Sequence, residues 1–238
     1  MNPSPLHPTQ RPLDIVLRPH ATFDTFVSPK DNELVFLLKE LQQALAEPRQ
    51  YFLWGSAQSG KTHLLQAICN HLAPADLRAV FLPMKEFAAQ DPNLLNDLQL
   101  LDVVCIDDVD CVLGDADWER ALFRIINDMW LGNKSLVVSA SCKPADLGIR
   151  LPDLASRLAG GLVYCLSGLT DEQKRVAIRL HAEARGLEIS PEVCSYLLRH
   201  YPRELQKLVE LIDKLDKYSL ALQRKITVPF VRSVLAGI

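Results

Sequence analysis

The stretch YFLWGSAQSGKTHLLQAICNHL, residues 51–72, decides the fold. It runs from a short apolar segment through a loop into a helical pattern, and the loop fits the spacing G-x-x-x-x-G-K-T at Gly55, Gly60, Lys61 and Thr62. Glycines in such a loop let backbone N–H groups point at phosphate oxygens, and the helix that follows adds a favourable dipole. The stretch therefore predicts a nucleotide site in which Lys61 reaches the terminal phosphates and Thr62 binds Mg²⁺.

Apolar runs and helical patterns alternate downstream of this stretch. Besides residues 51–54, strands are predicted at 79–83, 102–107, 136–140 and 163–166, with a helix near 116–131. Strands that alternate with helices indicate a parallel sheet covered on both faces. We therefore predict an α/β fold with a five-stranded parallel sheet flanked by helices. Upstream, leucines at helical spacing predict a further helix from Asp31 through Leu45, which Pro48 ends.

The strand patterns stop after Ser167, and the remaining sequence predicts a small all-helical domain. Its helices are expected at about 170–185, 191–200, 203–222 and from 228 onward, with Thr170 and Ser190 as N-caps. Five prolines within residues 1–20 predict an extended, mobile tail. The predicted organisation is a tail at 1–20, an α/β nucleotide-binding domain at 21–167 and a helical lid domain at 168–238.

Two carboxylates, Asp107 and Asp108, directly follow the apolar run VVCI at residues 103–106. A strand end of this kind brings a carboxylate beside the Mg²⁺ of a phosphate loop. We predict that Asp107 joins Thr62 around the metal and that Asp108 polarises the attacking water.

The composition excludes several classes of protein. Lys plus Arg is 26 and Asp plus Glu is 29, a net charge of -3, which argues against a dedicated nucleic-acid binder. The N-terminus does not have the pattern of a signal peptide, and no apolar run approaches the roughly 18 residues that span a membrane. None of the six cysteines forms a C-x-x-C pair, which favours small hydrophobic residues in a reducing compartment. The sequence is therefore expected to encode a soluble, cytoplasmic protein.

The phosphate loop alone leaves kinases, GTPases, transporter ATPases and motors open. The guanine-reading sequence N-K-x-D does not occur, which weighs against a GTPase. A helical domain after the fifth strand favours the AAA+ class, in which such a lid closes over the nucleotide.

From Thr22 onward the chain resembles the DnaA branch of the AAA+ ATPases. The resemblance is carried by TFDTFV (22–27) with the later Asp31-Asn32, the phosphate loop, DVVCIDDVDCV (102–112), LPDLASRL (151–158) and YPRELQKLV (201–209). It implies that Phe23 lies near the adenine, that His63 lies beside the phosphate loop, and that Arg203 of the lid contacts the chain's own nucleotide. It also implies that Arg157 is an arginine finger, which neutralises charge that develops in phosphoryl transfer.

Within that branch the chain is most similar to the Hda family. LPDLASRL and VPFVRSVL (228–235) carry this likeness, and the sequence ends soon after a lid-like helix where an initiator would continue into a DNA-binding domain. The resemblance implies an ADP-bound protein whose Arg157 acts in trans on ATP bound by DnaA. It further implies that Gln10, Leu13 and Ile15 bind the replication sliding clamp, the β subunit of DNA polymerase III, although Arg11 departs from the leucine often found there. Direct DNA contact is expected to be weak or absent, and self-association is left open.

One departure from the branch bears on the chain's own ATPase activity. Ser141 stands where an acidic residue is common, and a serine hydroxyl cannot act as a carboxylate. Weak intrinsic hydrolysis is therefore expected. Two alternatives remain open on sequence alone: a self-contained AAA+ ATPase or helicase loader, and a non-catalytic adaptor that binds DnaA or the clamp.

Overall fold

The structure is a computed structural model that describes residues 17–28, 32–42 and 49–235. The predicted clamp-binding residues Gln10, Leu13 and Ile15 lie outside the described residues. No helix in the described part of the chain is long and apolar enough to cross a membrane. All six cysteines lie within the described residues and are free thiols.

The described residues contain one five-stranded sheet with the order β2-β3-β4-β1-β5, in which every neighbouring pair is parallel. The strands are β1 (Gln50–Trp54), β2 (Ala79–Pro83), β3 (Val103–Asp107), β4 (Ser135–Ala140) and β5 (Leu162–Cys165). The predicted fold class is confirmed, and each predicted strand lies within one residue of the observed one. Because all five strands are parallel, their carboxyl-terminal ends lie along one side of the sheet. The chain that leaves β1 there lies near the end of β3, with β4 between the two strands. Ligands bind at this side in open α/β sheets.

Helices cover both faces of the sheet because successive strand residues point to opposite sides. Tyr51 and Leu53 pack towards one face and Phe52 towards the other, in two separate apolar cores. The helices of this part are α1 (Asn32–Lys39), α2 (Lys61–Leu72), α3 (Met84–Phe87), α4 (Ala116–Leu131) and α5 (Pro152–Ala159). Within the helix predicted at 31–45, α1 gives way to a 3₁₀ turn at Glu40–Gln42, and positions 31 and 43–45 lie outside the described residues.

A helical region follows β5 and has an apolar core of its own. It consists of α6 (Asp171–Glu183), α7 (Pro191–His200), α8 (Leu205–Leu222) and α9 (Val228–Leu235). Both predicted N-caps are confirmed: Thr170 forms a capping box with Gln173, and the Ser190 hydroxyl accepts from the N–H of Val193 at 3.4 Å. These local signals explain why α6 and α7 begin where the sequence predicted.

The helix α8 begins two residues later than predicted, so Arg203 precedes it. Glu204 is the N-cap, and Tyr201 is extended with φ of -125° and ψ of 164°. The physical reason is Pro202, whose ring disfavours a helical conformation in the residue before it.

Residues 17–20 pack against α2, although the sequence predicted a mobile tail as far as residue 20. The Asn70 side chain donates to the carbonyl oxygens of Arg18 and Ala21, both at 2.9 Å, and the Arg18 N–H donates to Gln66 at 3.4 Å. Polar side chains on a helix surface provide these bonds, and no composition rule for a proline-rich segment anticipates them.

A buried carboxylate, Glu119 of α4, fixes the start of α5. It is 1% exposed and accepts from the N–H groups of Gly114 at 2.9 Å, Arg150 at 3.1 Å and Leu151 at 2.7 Å. Burial by itself would raise the pKa of Glu119, but the backbone donors outweigh that effect and hold the pKa below its ordinary value. Glu119 therefore ties the loop before α4 to the helix that carries Arg157.

Replacing Glu119 with alanine should lower the free energy of unfolding by about 3 kcal/mol, because three buried N–H groups lose their acceptor. Urea denaturation at pH 7 measures the change. The exposed Glu172→Ala, which breaks only a surface pair with Arg175, is the control and should cost less than about 1 kcal/mol. Because the folded pKa of Glu119 lies below the unfolded value of 4.5, its ionic contribution is present above about pH 4.5 and is lost as the pH falls further. Equal effects of the two substitutions would contradict this role.

Candidate nucleotide site

The phosphate loop has a conformation that only glycine permits at two positions. A Cβ atom on Gly55 would lie 2.3 Å from the carbonyl oxygen of Leu166. Gly60 has φ of 95°, and a Cβ atom there would lie 2.7 Å from the ring of Phe26. The two glycines therefore keep the loop tightly wound around the start of α2.

The interior of this loop fits a phosphate group. Lys61 is 6% exposed, and its ammonium donates to the carbonyls of Gly55 at 2.8 Å and Ser56 at 3.1 Å. The hydroxyl of Ser59 is buried and has no hydrogen-bond partner among the described residues. Gly60, the N-cap of α2, has no side chain to satisfy the first N–H groups of the helix. An anion bound here would meet a cation, a free hydroxyl and unpaired backbone donors.

The two residues predicted to bind Mg²⁺ are in direct contact. The Thr62 hydroxyl donates to one oxygen of Asp107 at 2.7 Å, and the Ser139 hydroxyl donates to the other. Asp107 is 3% exposed, and burial raises its pKa, an effect that the two hydroxyl donors oppose. A hydroxyl and a carboxylate are the oxygen ligands that Mg²⁺ prefers, so this pair fits the metal of a bound nucleotide.

Ser139 is a site residue that sequence reasoning missed. The Asp108 N–H donates to the Ser139 hydroxyl at 3.0 Å, so Ser139 joins both carboxylate residues at the end of β3. Ser141, the residue singled out from the sequence, lies beyond the end of β4 and is exposed. The parallel register of β3 and β4 brings Ser139 to this place, and that register is a tertiary property.

The carboxylate of Asp108 forms an ion pair with Lys85. The Lys85 ammonium lies 2.7 Å from Asp108 Oδ2, and this hydrogen bond raises the pKa of Lys85. Asp108 itself has a left-handed backbone, with φ of 52° and ψ of 51°. The residue predicted to polarise the attacking water is therefore held by a cation that the sequence analysis did not identify.

A cleft of about 430 Å³ lies between the α/β part and the helical region α6–α9, here called the lid. The core side contributes the phosphate loop, residues 18–21, Lys85 and Asp108, and the lid side contributes α6 and α8 together with Arg185. The Arg185 side chain is 5% exposed and pairs with Asp213 at 2.6 Å. Its partners come from α8 and from the carbonyl of His181, so Arg185 is fixed within the lid.

Two histidine rings join the lid to α2 at this cleft. His63 Nε2 donates to the Thr22 carbonyl at 2.8 Å, and the rings of His63 and His181 meet edge to face at 5.6 Å. Burial, followed by the nearby His63 and Arg185, lowers the pKa of His181 to about 3, and burial also lowers the pKa of His63. Both imidazoles are therefore neutral near pH 7.

Because unfolded His181 titrates near 6.5 and folded His181 near 3, the unfolded state binds the extra proton below pH 6.5. Stability should be complete above that pH and fall by up to about 1.4 kcal/mol per pH unit for this one proton as the pH decreases. Replacing His181 with phenylalanine should reduce the slope between pH 6 and pH 5. At pH 8 neither protein binds this proton, so the difference between their urea midpoints there gives the effect of the substitution on packing alone. Parallel curves for the two proteins would contradict the assignment.

Arg157 lies at the amino-terminal end of β1, whereas the phosphate loop follows its carboxyl-terminal end. Its carbonyl accepts from the side chain of Gln50 at 2.6 Å, and Gln50 is the first residue of β1 whereas the loop follows the last. The length of β1, about 13 Å, separates the two ends. Arg157 is exposed, its guanidinium lies 5.6 Å from the centre of the Trp130 ring, and none of the ion pairs among the described residues includes it.

Comparison with known families decides which kind of nucleotide protein has this arrangement. Residues 17–165 match the bacterial DnaA ATPase domain, and residues 171–235 match the family described as the Hda lid domain. The chain belongs to the DnaA branch of the AAA+ proteins, and its lid is of the Hda type. It is therefore an AAA+ protein related to replication initiation.

Individual relatives agree with the placement in the DnaA branch. An uncharacterized protein of Haemophilus influenzae is 37% identical over 229 residues, which are 95% of this chain and 98% of that protein. Domain III of Thermotoga maritima DnaA is 25% identical with a TM-score of 0.74, covering 93% of this chain and 98% of that one. AMPPCP-bound DnaA from Aquifex aeolicus is 26% identical with a TM-score of 0.68, covering 87% and 69%.

Two residues that the resemblance to the DnaA branch assigns to nucleotide contact have other partners in this structure, and their contact with a nucleotide stays a prediction. Phe23 is 7% exposed and packs in the core beside α2, with its ring edge to face against His71 at 5.3 Å. The side chain of Arg203 is 67% exposed and pairs with Asp171 at 3.4 Å. Neither lines the cleft, whereas Arg18 and Arg185 do. His63, by contrast, lines the cleft beside the phosphate loop.

Proposed function

We propose that this protein is a negative regulator of replication initiation that stimulates hydrolysis of ATP bound by DnaA. In this role it holds ADP in its own site, is tethered to the DNA-loaded sliding clamp, and supplies Arg157 to the nucleotide of DnaA. The position of Arg157 is the observation that carries the proposal. An exposed guanidinium without a carboxylate partner, at the far edge of the sheet from its own phosphate loop, suits a γ-phosphate held by another chain.

The chain's own site suits an adenine nucleotide that is bound tightly and hydrolysed slowly. Lys61 and the loop amides would hold the phosphates, and Thr62 with Asp107 would hold Mg²⁺, which neutralises phosphate charge when bound. The ion pair with Lys85 engages the carboxylate of Asp108 and would make it less available to polarise an attacking water. Both features agree with tight binding and slow intrinsic turnover, as expected of a protein that works with ADP.

The sliding clamp is the proposed tether. Gln10, Leu13 and Ile15 have the spacing of a clamp-binding peptide, and the chain from Leu17 onward is attached to the core through α2. A short peptide bound to the clamp would raise the local concentration of the attached domain near DnaA, so a weak direct contact can suffice.

The test follows the fate of ATP on DnaA. DnaA preloaded with labelled ATP is mixed with DNA-loaded clamp, ADP and this protein, and the labelled ADP on DnaA is measured with time. We expect conversion that requires both the clamp and this protein. Rapid turnover of free ATP by the protein alone would favour a self-contained ATPase, and inhibition of DnaA without conversion would favour an adaptor.

The tether is tested in the same assay with the triple change Gln10→Ala, Leu13→Ala, Ile15→Ala. Conversion should fall to the clamp-free rate, because the peptide loses its polar anchor and both apolar anchors. The matched control is Arg11→Ala, which leaves those anchors in place. Clamp capture of each variant, measured by surface immobilisation, separates loss of tethering from loss of catalysis. Full conversion by the triple variant would exclude this tether.

A further inference from the structure

An exposed indole accompanies Arg157. Trp130 is the second-last residue of α4 and is 57% exposed, and its ring carries the Arg157 guanidinium at 5.6 Å from the centre. A large aromatic side chain in solvent needs an explanation, and contact with a cation over its face is one. The sequence assigned no chemical role to this tryptophan.

Two cations around the pair, Arg157 and Arg49, have no carboxylate partner among the described residues. Trp130 and Arg157 line a hollow of about 520 Å³ together with Arg49 and Lys134. The Lys134 ammonium is already bound to Asp102 at 2.6 Å, so much of its charge is compensated within the chain. The backbone of Arg157 is held by Gln50 and its guanidinium by Trp130, so both parts of the residue are anchored.

We propose that Trp130 is the positioning residue for Arg157, holding the guanidinium extended towards a nucleoside triphosphate bound by a second AAA+ chain. The inference rests on the proposed function, in which that chain is DnaA. A free arginine samples many rotamers, and a guanidinium stacked on an indole has fewer to lose when it meets the phosphate. Trp130 should therefore affect the rate of the stimulated reaction more than the affinity between the two proteins.

A protein partner fits this hollow better than a single-stranded nucleic acid, which could also stack on a tryptophan. Leu162, which is 47% exposed, lines the same hollow as the indole. Apolar residues around an arginine are typical of a protein interface, and Lys134, one of the three cations of the hollow, is already paired with Asp102. The net charge of -3 agrees with this choice.

The test measures the maximal rate of clamp-dependent conversion and the protein concentration that gives half of it. We expect Trp130→Ala to lower the maximal rate about three- to tenfold and to change the half-saturating concentration less than about twofold. Trp130→Phe should recover most of the rate because it keeps an aromatic face. Tyr218→Ala removes a similarly exposed aromatic side chain of α8 that lies outside the hollow, and as the matched control it should keep the maximal rate.

Coupling to Arg157 separates positioning from a general structural effect. In an Arg157→Ala background, Trp130→Ala should lower the residual rate no further, because the group it positions is gone. A normal maximal rate for Trp130→Ala overturns the inference while the proposed function stands, as does a change confined to the half-saturating concentration. Wild-type binding of labelled oligothymidylate that Trp130→Ala abolishes would instead assign the hollow to nucleic acid. If the wild-type protein gives no conversion, the proposed function and this inference both fail.

Discussion

Replacing Arg157 with alanine should reduce the clamp-dependent conversion of DnaA-bound ATP by about 10³-fold or more, to near the rate without this protein. The reason is electrostatic, since an arginine finger neutralises charge that develops on the transferred phosphoryl group. Truncation also removes the only guanidinium that Trp130 holds among the described residues. Single-turnover measurement of labelled ADP on DnaA gives the rate directly.

Clamp capture and ADP affinity should stay unchanged in the Arg157→Ala protein, because the residue is exposed and lies at the opposite edge of the sheet from the phosphate loop. Arg120→Ala is the matched control: it removes an exposed arginine of α4 whose partner is a surface aspartate. Arg157→Lys keeps the charge but not the planar fork, so it should recover only part of the rate. Normal stimulation by Arg157→Ala would show that the finger assignment is wrong and would favour an adaptor.

Replacing Lys61 with alanine should weaken ADP binding by about 100-fold, because the phosphates lose a buried cation and its charge-assisted hydrogen bonds. Lys61 is 6% exposed and sits over the loop carbonyls of Gly55 and Ser56. Titration with a fluorescent ADP analogue measures the dissociation constant. The same protein should stimulate DnaA poorly if the ADP-bound form is the active one.

The matched control for that experiment is Lys143→Ala, which removes an exposed lysine whose partner is the surface carboxylate of Asp146. It should bind ADP as the wild type does. Far-ultraviolet circular dichroism on both variants checks that the fold is intact. An unchanged ADP affinity in Lys61→Ala would contradict the assignment of the loop as the phosphate site.

Local physics explains how much of the fold could be predicted. Strand β2 and helix α4 have the predicted bounds, 79–83 and 116–131, because hydrophobic period and length are readable in a single segment. Thr170 and Ser190 act as N-caps because a hydroxyl reaches N–H groups three residues away. The phosphate loop is equally local, since its glycines, lysine and threonine are consecutive or nearly so.

Site residues that come from distant segments could not be predicted in the same way. Ser139 reaches Asp107 across 32 positions of sequence, and Lys85 reaches Asp108 from α3, the short helix after β2. The helical pattern around Glu119 does not distinguish it from a surface glutamate, yet Glu119 is buried beneath the start of α5. Ser139 and Lys85 meet the two carboxylates because parallel strands place their ends along one side of the sheet, whereas Glu119 meets the start of α5 through the packing of α4.

The sequence alone therefore determined the class of fold, the phosphate loop and the family, because each depends on residue types at fixed short spacings. Only the tertiary structure decided that Arg185 and not Arg203 faces the cleft, and that Phe23 packs in the core. It also decided that Arg157 and Trp130 share a surface far from the loop. Packing of α4, α5 and the lid on the sheet sets these positions, and the free energy of that packing comes from contacts between segments that no local pattern encodes.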